Sequence, residues 1–332
     1  MSHIQKNNNI NISDSSKLKK LSSIYPQNEI ASPNNNVINE KSILTVNNND
    51  SSIHYSQNFD FFFETARDNI KFVGEYLEDI YGNLLQEEQR EKANQKYGYM
   101  QKQPDINDQM RAILIDWLFD VHLSFFLRTE TLYQAIWIID SYLSLRKIMR
   151  SKLQLLGIAS LLISCKSQEI YYPQLNKFIE ITDNAYNKQE LLLMEYDVLK
   201  ILNFNLIVPT SNDFYNILAK LFSFEEKQYF LGKYIIDCSL IDYEMIKYSA
   251  SVIAASSAYL VMKFFRIHNY KNLYSNFIVK EKNPQKIIKE VAQELCILIK
   301  NLSDSKLKAI KNKYSLQIFH NVSESFEQFL KQ

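Results

Sequence analysis

Between Gly98 and Val121 the chain reads G-Y-M-Q-K-Q-P-D-I-N-D-Q-M-R-A-I-L-I-D-W-L-F-D-V, and no other stretch limits its possible folds as tightly. Pro104 interrupts whatever precedes it, and Asp105, or Asn107 and Asp108 just after it, can cap the backbone N–H groups of a new helix. Within that helix Met110, Ile113, Leu114, Trp117 and Val121 recur at helical spacing and make one apolar stripe. Ala112, Ile115, Leu118, Phe119 and His122 make a second, mostly apolar stripe on another side. A helix that is apolar nearly all round is packed by other helices on most of its sides. Arg111 and Asp116 sit among these stripes. A buried unpaired charge costs several kcal/mol or more, so Arg111 requires a carboxylate from elsewhere in the chain.

The stretch M-R-A-I-L-I-D-W-L closely resembles the signature helix of the cyclin box in A- and B-type mitotic cyclins. Later segments extend the likeness to roughly residues 59–318. L-I-D-Y-E-M-I-K-Y followed by S-V-I-A-A-S-S-A-Y-L, and I-K-N-K-Y-S, are similar to the second box of B types, whereas G-Y-M-Q-K-Q-P-D-I is closer to the A type. The resemblance implies an all-α protein made of two tandem five-helix cyclin boxes. An N-terminal helix and a disordered Asn/Ser-rich tail are expected to precede them.

Composition agrees with the helical class. The chain has 332 residues, enough for about two domains, and is 46% hydrophobic, with only 5 glycines and 6 prolines. Pro104, Pro173, Pro209 and Pro284 fall between apolar periodic runs, where helix breaks belong. Residues 1–58 are rich in Asn and Ser and poor in large apolar side chains, so they bury too little surface to offset the entropy of ordering. From Phe59 the pattern turns helical, with Val73, Tyr76, Leu77, Ile80 and Leu84 as the expected stripe. Residues 59–207 should hold the N-terminal helix and first box, and 208–320 the second. In the first box, helices are expected at Thr129–Ser144, with Thr129 as cap, at Lys152–Glu169, after Pro173, and within Ile181–Leu206. In the second they are expected near Asp213–Phe222, Glu226–Tyr243, Ser249–Phe265, Pro284–Asn301 and Ser303–Lys313. Gly157, Ala159 and Ser160 should let the Lys152–Glu169 helix approach a neighbour closely.

The same patterns narrow the chemistry. A formal net charge of +1 gives no global field toward nucleic acid or an anionic membrane. No apolar run is long enough to span a bilayer, and the start has no signal-peptide core, so a soluble intracellular protein is expected. Cys165, Cys238 and Cys296 have no metal spacing and sit in apolar helical runs, which suits buried free thiols. There is no glycine-rich phosphate loop, and the five histidines are isolated; His122 lies on an apolar helix face and suits a core role. The reading is of a non-enzyme without cofactor or metal.

Asp140, among apolar neighbours, is the expected partner of Arg111; the resemblance implies the same buried ion pair. It further implies a kinase-binding site of Lys166, Glu195 and Phe204. In cyclins the matching Lys and Glu meet main-chain groups beside the regulatory C-helix of a cyclin-dependent protein kinase, and the cyclin activates that kinase allosterically. A Lys donates and a Glu accepts, which suits a peptide backbone offering both groups. Met110, Ile113, Leu114, Trp117, Asp120, Leu153 and Gln154 match an apolar patch that docks R-x-L motifs of substrates and inhibitors. The core alternative is strong for Ile113 and Leu114 and weaker for Trp117, whose large ring often sits at partly exposed interfaces. The chain departs from the pattern at Asn83, where the family has an aromatic nearby. It departs again at Ser167, Gln168 and Glu169, where an aromatic and two acids are usual. The implied role is control of mitotic entry, in nucleus and cytoplasm. A cyclin-box factor acting in transcription, or a helical scaffold, is the alternative; a DNA-binding role would call for a clustered basic face.

Mitotic cyclins usually carry an R-x-x-L or K-E-N destruction signal in the tail, yet no Arg precedes Arg67 here and no K-E-N occurs. The protein is therefore expected either to persist through division or to be lost through a degenerate signal such as K-L-K-K-L, Lys17–Leu21. Deleting residues 1–58 and following the protein level through a synchronous cycle distinguishes these outcomes. Periodic loss that survives the deletion would place the signal within the boxes.

Overall fold

The computed structural model describes residues 76–92, 97–268, 273–274 and 281–331; the expected tail and the Phe59–Ala66 segment lie outside them. The described residues form helices and turns without a strand. The first box contains α2 (Asp108–Phe125), α3 (Thr129–Leu145), α4 (Leu153–Gln168), α5 (Leu175–Glu180) and α6 (Lys188–Ile201), preceded by α1 (Leu77–Lys92). The second contains α7 (Ser211–Leu221), α8 (Glu226–Ile241), α9 (Ala250–Phe264), α10 (Pro284–Asp304) and α11 (Ala309–Tyr314). A further amphipathic helix, α12 (Val322–Lys331), lies past the expected end at 320, burying Val322 and Phe326.

The central helix is α2. Asn107 caps it by accepting the Met110 N–H at 2.9 Å, which selects one of the candidate caps. Helices of both boxes surround it: α3 and α4 from the first, α8 and α11 from the second. Gly157 of α4 lets the two helices approach closely here, since a Cβ at that position would lie 2.8 Å from Leu114 Cδ1 and make that side chain shift. Arg111, only 1% exposed, forms a bidentate pair with Asp140 of α3, Nε to Oδ1 and Nη2 to Oδ2, both at 2.7 Å. Its remaining nitrogen, Nη1, donates to the Leu240 and Ile241 carbonyls at the end of α8, at 3.0 and 3.3 Å. The ion pair of the first box is thus also a clasp on the second.

Three local expectations change. The buried stripe of α1 is Leu77, Tyr81, Leu85 and Glu88, while Tyr76 and Ile80 are exposed. Tyr81 packs edge-on against Phe214 of α7 at 5.5 Å, and Glu88 accepts both the N–H and the hydroxyl of Ser251 at 2.7 Å, which rotates the helix toward the second box. Thr129 does not cap α3. The Glu169 carboxylate does so from across the box, accepting the Arg128 N–H at 2.7 Å and the Thr131 hydroxyl at 2.6 Å. The helix expected at Ser303–Lys313 begins only at Ala309, because α10 runs on to Asp304 and the chain extends at Ser305.

Between α1 and α2 the chain makes a tight strap. Gly98 adopts φ +93°, which a side chain would resist. The Gly98 and Met100 N–H groups both donate to the Tyr243 hydroxyl at 3.0 Å, and Tyr99 donates to Asp140 Oδ1 at 2.8 Å. A second buried network lies nearby. Asp237 of α8 accepts Tyr133 and Tyr314 hydroxyls at 2.6 and 2.8 Å and the Lys313 ammonium at 3.0 Å.

Replacing Arg111 with alanine would strand Asp140 in the interior and free the α8 carbonyls, and is expected to cost about 3–5 kcal/mol. Thermal or urea unfolding of the purified protein measures this. An unchanged midpoint would contradict the buried clasp.

Candidate functional site: a partner-docking face

Lys166 stands in the last turn of α4 and Glu195 in the middle of α6, and the fold brings them together at 2.5 Å. The Lys166 side chain is 42% exposed and that of Glu195 11%, so the pair sits at the surface with its carboxylate set into it. The register of α6 is fixed by a capping box between Asn187 and Glu190, and Leu191 and Val198 anchor its inner face. An ammonium has three N–H donors and a carboxylate two oxygens, so the pair keeps donor and acceptor capacity for an incoming backbone.

Just beyond α6, Asn203 and Phe204 both adopt left-handed backbone, φ 48° and 57°. For a bulky residue such as Phe this conformation costs on the order of 1 kcal/mol or more. The turn leaves the Phe204 ring 70% exposed. Ile207 beside it is exposed, as are Ile170 and Tyr171 after α4 and Leu193 and Tyr196 on α6. The apolar run I-Y-Y before Pro173 follows α4. Three successive large apolar residues outside any helical period were its available sign in the sequence. Ser167 and Gln168, which follow Lys166, are not aromatic, and neither is Asn83 of α1. Glu169 is engaged in capping α3. The face is accordingly apolar around one ion pair.

The second set of residues is distributed differently. Leu114 is fully buried, and Met110, Trp117, Leu153 and Gln154 are also buried, whereas Ile113 and Asp120 are partly exposed. Trp117 is only 6% exposed, so the expected order of exposure between Trp117 and Ile113 is reversed. Helices of both boxes pack around α2, and midway along it Ile113 and Asp120 stay partly open to solvent.

Burial governs the titratable side chains of the core. Burial holds the His122 pKa down at about 3 and pushes the Cys165 and Cys238 thiols up, so none is charged near neutrality. Among the described residues no cluster of His, Cys, Asp or Glu could hold a metal ion, and no helix is long and apolar enough to cross a membrane. A cavity of about 410 Å³ opens between the boxes, but Arg111, Asp140 and Glu88 in its lining are already satisfied by groups of the chain itself.

The sequence matches the cyclin N-terminal domain family over residues 79–207 and the cyclin C-terminal domain family over 209–328. The chain belongs to the cyclin family. It is 36% identical over 258 residues to a G2/mitotic-specific cyclin-B of Hydra vulgaris, covering 77% of this chain and 69% of that protein. Against a G2/mitotic-specific cyclin-A of Patella vulgata it is 37% identical over 253 residues, covering 76% and 58%. Both types therefore match equally well. A viral cyclin from herpesvirus saimiri shares the fold, with a TM-score of 0.55 and 19% identity over 65% of this chain and 97% of that structure.

Two acids of this cyclin carry a pH dependence. Burial raises Asp116 to about 7, although the Ala309 N–H donates to it at 3.0 Å, and burial raises Asp120 to about 6. Folded carboxyls thus hold protons at pH values where unfolded ones, near 3.8, have lost them, so stability falls as pH rises from about 4 to about 7. Asp116→Asn keeps an oxygen for Ala309 and removes the charge. Its melting temperature relative to wild type is expected to improve on going from pH 5 to pH 8, by the equivalent of at most about 3 kcal/mol. A pH-independent difference would show Asp116 to be solvated.

Proposed function

We propose that this cyclin is a regulatory subunit that binds and allosterically activates a cyclin-dependent protein kinase, helps recruit its substrates, and controls entry into mitosis from the nucleus and cytoplasm. The observation that carries the reading is the Lys166–Glu195 pair set among Phe204, Ile170 and Tyr171, on a chain whose relatives are G2/mitotic-specific cyclins. The left-handed turn at Asn203 and Phe204, which ends α6 with the Phe204 N–H donating to the Leu199 carbonyl at 3.0 Å, supports it by leaving an aromatic at the surface. In the proposed complex Lys166 and Glu195 hydrogen-bond main chain beside the kinase C-helix, while the exposed aromatics cover its apolar side. Holding that helix inward completes the Lys–Glu ion pair on which ATP binding depends. The cyclin supplies a shift of population; the chemistry stays with the kinase.

Substrate recruitment is assigned to the open edge of α2. Ile113 offers apolar area to a leucine and Asp120 a charge to an arginine of an R-x-L motif, with the buried members supporting that edge from beneath. This raises local substrate concentration without altering the chemical step.

Lys166→Ala or Glu195→Ala is expected to leave the melting temperature near wild type and to weaken kinase association by roughly 2–5 kcal/mol. Titrating kinase activity with each variant measures this, and full activation at wild-type concentrations would move the interface elsewhere. Ile113→Ala combined with Asp120→Asn should raise KM for a substrate carrying R-x-L and leave a short peptide lacking it nearly unaffected. Equal effects on both substrates would remove the docking role from this edge.

A further inference from the structure

The connection between α3 and α4 is rigid and carries an unusual surface. Gln103, buried in the strap before α2, uses its whole amide on this loop. Its Nε2 donates to the Leu143 and Arg146 carbonyls at 2.7 and 2.6 Å, and its Oε1 accepts the Ile148 N–H at 3.1 Å. Ile148 turns inward and is buried, while Leu145 and Met149 point outward, 61% and 59% exposed. Arg146, Lys147 and Arg150 alternate with them and are exposed, and Lys152 follows. Among the described residues the acids paired with these cations are Asp197 and Glu190. Asp197 lies 3.8 Å from Arg146 and already accepts the Tyr142 hydroxyl at 2.7 Å, and Glu190 is paired with Lys152 at 2.7 Å. Arg150 has a further interaction of its own, so the exposed positive charge of the platform rests on Lys147 and on Arg146, whose pairing with Asp197 is long.

Single exposed apolar residues are ordinary. Here two of them alternate with cations on a loop whose backbone is already fixed, so little conformational entropy would be lost when a partner seats on it. The complementary occupant is a short chain segment that carries carboxylates and two leucine-like side chains. A membrane surface fits less well, because interfacial binding draws on a broad amphipathic face rather than two side chains. The loop also stands clear of Lys166, from which the length of α4 separates it by about 20 Å, so both surfaces can be occupied at once. We propose that the α3–α4 loop is a docking platform for an acidic, leucine-bearing linear segment of a partner protein. It does not depend on the kinase reading.

The test uses the full chain and a fluorescein-labelled peptide, D-E-L-D-D-L-E-D, followed by anisotropy. Two control peptides replace both leucines with serine or all acids with lysine. The acidic leucine peptide should bind saturably, and each control about tenfold or more weakly. The double variant Leu145→Ser, Met149→Ser and the single variant Lys147→Glu should each lose about tenfold in affinity, the latter loss shrinking at high salt. Circular dichroism should be unchanged in both, and Lys166→Ala should bind the peptide normally. The proposal is overturned if wild type does not bind the peptide, if the serine control binds equally, or if the loop variants bind as wild type. Association with phosphatidylserine-containing vesicles in place of the peptide would also overturn it and assign the loop to a lipid surface.

Discussion

A guanidinium shut away from water must have its N–H groups met, and Arg111 divides them between two domains. Two nitrogens are held by the Asp140 carboxylate; the third reaches the carbonyl end of α8, where the helix dipole also favours a cation. The position of α2 in the first box and of α8 in the second are therefore set by one side chain. Tyr99 adds its hydroxyl to Asp140, and Tyr243 gathers the strap above, so hydrogen bonds from four segments converge there. The Asp237 network repeats the logic: Tyr133 of the first box and Lys313 and Tyr314 of the second share one carboxylate.

This arrangement explains which parts of the fold were legible in the sequence. Helical period, proline breaks and the need of Arg111 for a carboxylate are local or nearly local facts, and they located the helices and the pair with Asp140. The rotation of α1 was not legible, because Ile80 and Tyr81 are equally good stripe members until Phe214 and Ser251 are placed opposite. The cap of α3 was missed for the same reason, since Glu169 lies 41 residues from the N–H it accepts. The order of exposure of Trp117 and Ile113 follows from which side of α2 the second box covers. The left-handed turn at Phe204 has no glycine to announce it. Of the candidate site, Lys166, Glu195 and Phe204 were accessible through family resemblance; the exposed Ile170, Tyr171 and Tyr196 became visible only with the surface in view.

Charge and apolar surface are partitioned in a consistent way. The buried ionic clusters centred on Arg111 and on Asp237 are met by partners within the chain, and they hold the boxes together. The outward faces carry the unspent apolar surface, with one ion pair at its centre on the α4–α6 side. A molecule organised like this is stiff inside and adhesive outside, which is what a protein needs if it is to impose its shape on something more flexible.

The packing of α1 has a consequence for how the chain is made. Its inner face is completed by Phe214 and Ser251, and Glu88 and Ser251 stand 163 residues apart. At ordinary rates of synthesis the ribosome needs roughly 10–30 s to travel that distance. During this interval the Phe214 ring and the Ser251 groups that complete this face have yet to be made. Helix α1 can therefore take its final seat only after the second half of the chain arrives, and a folding helper that shields Leu77, Tyr81 and Leu85 would act before translation ends.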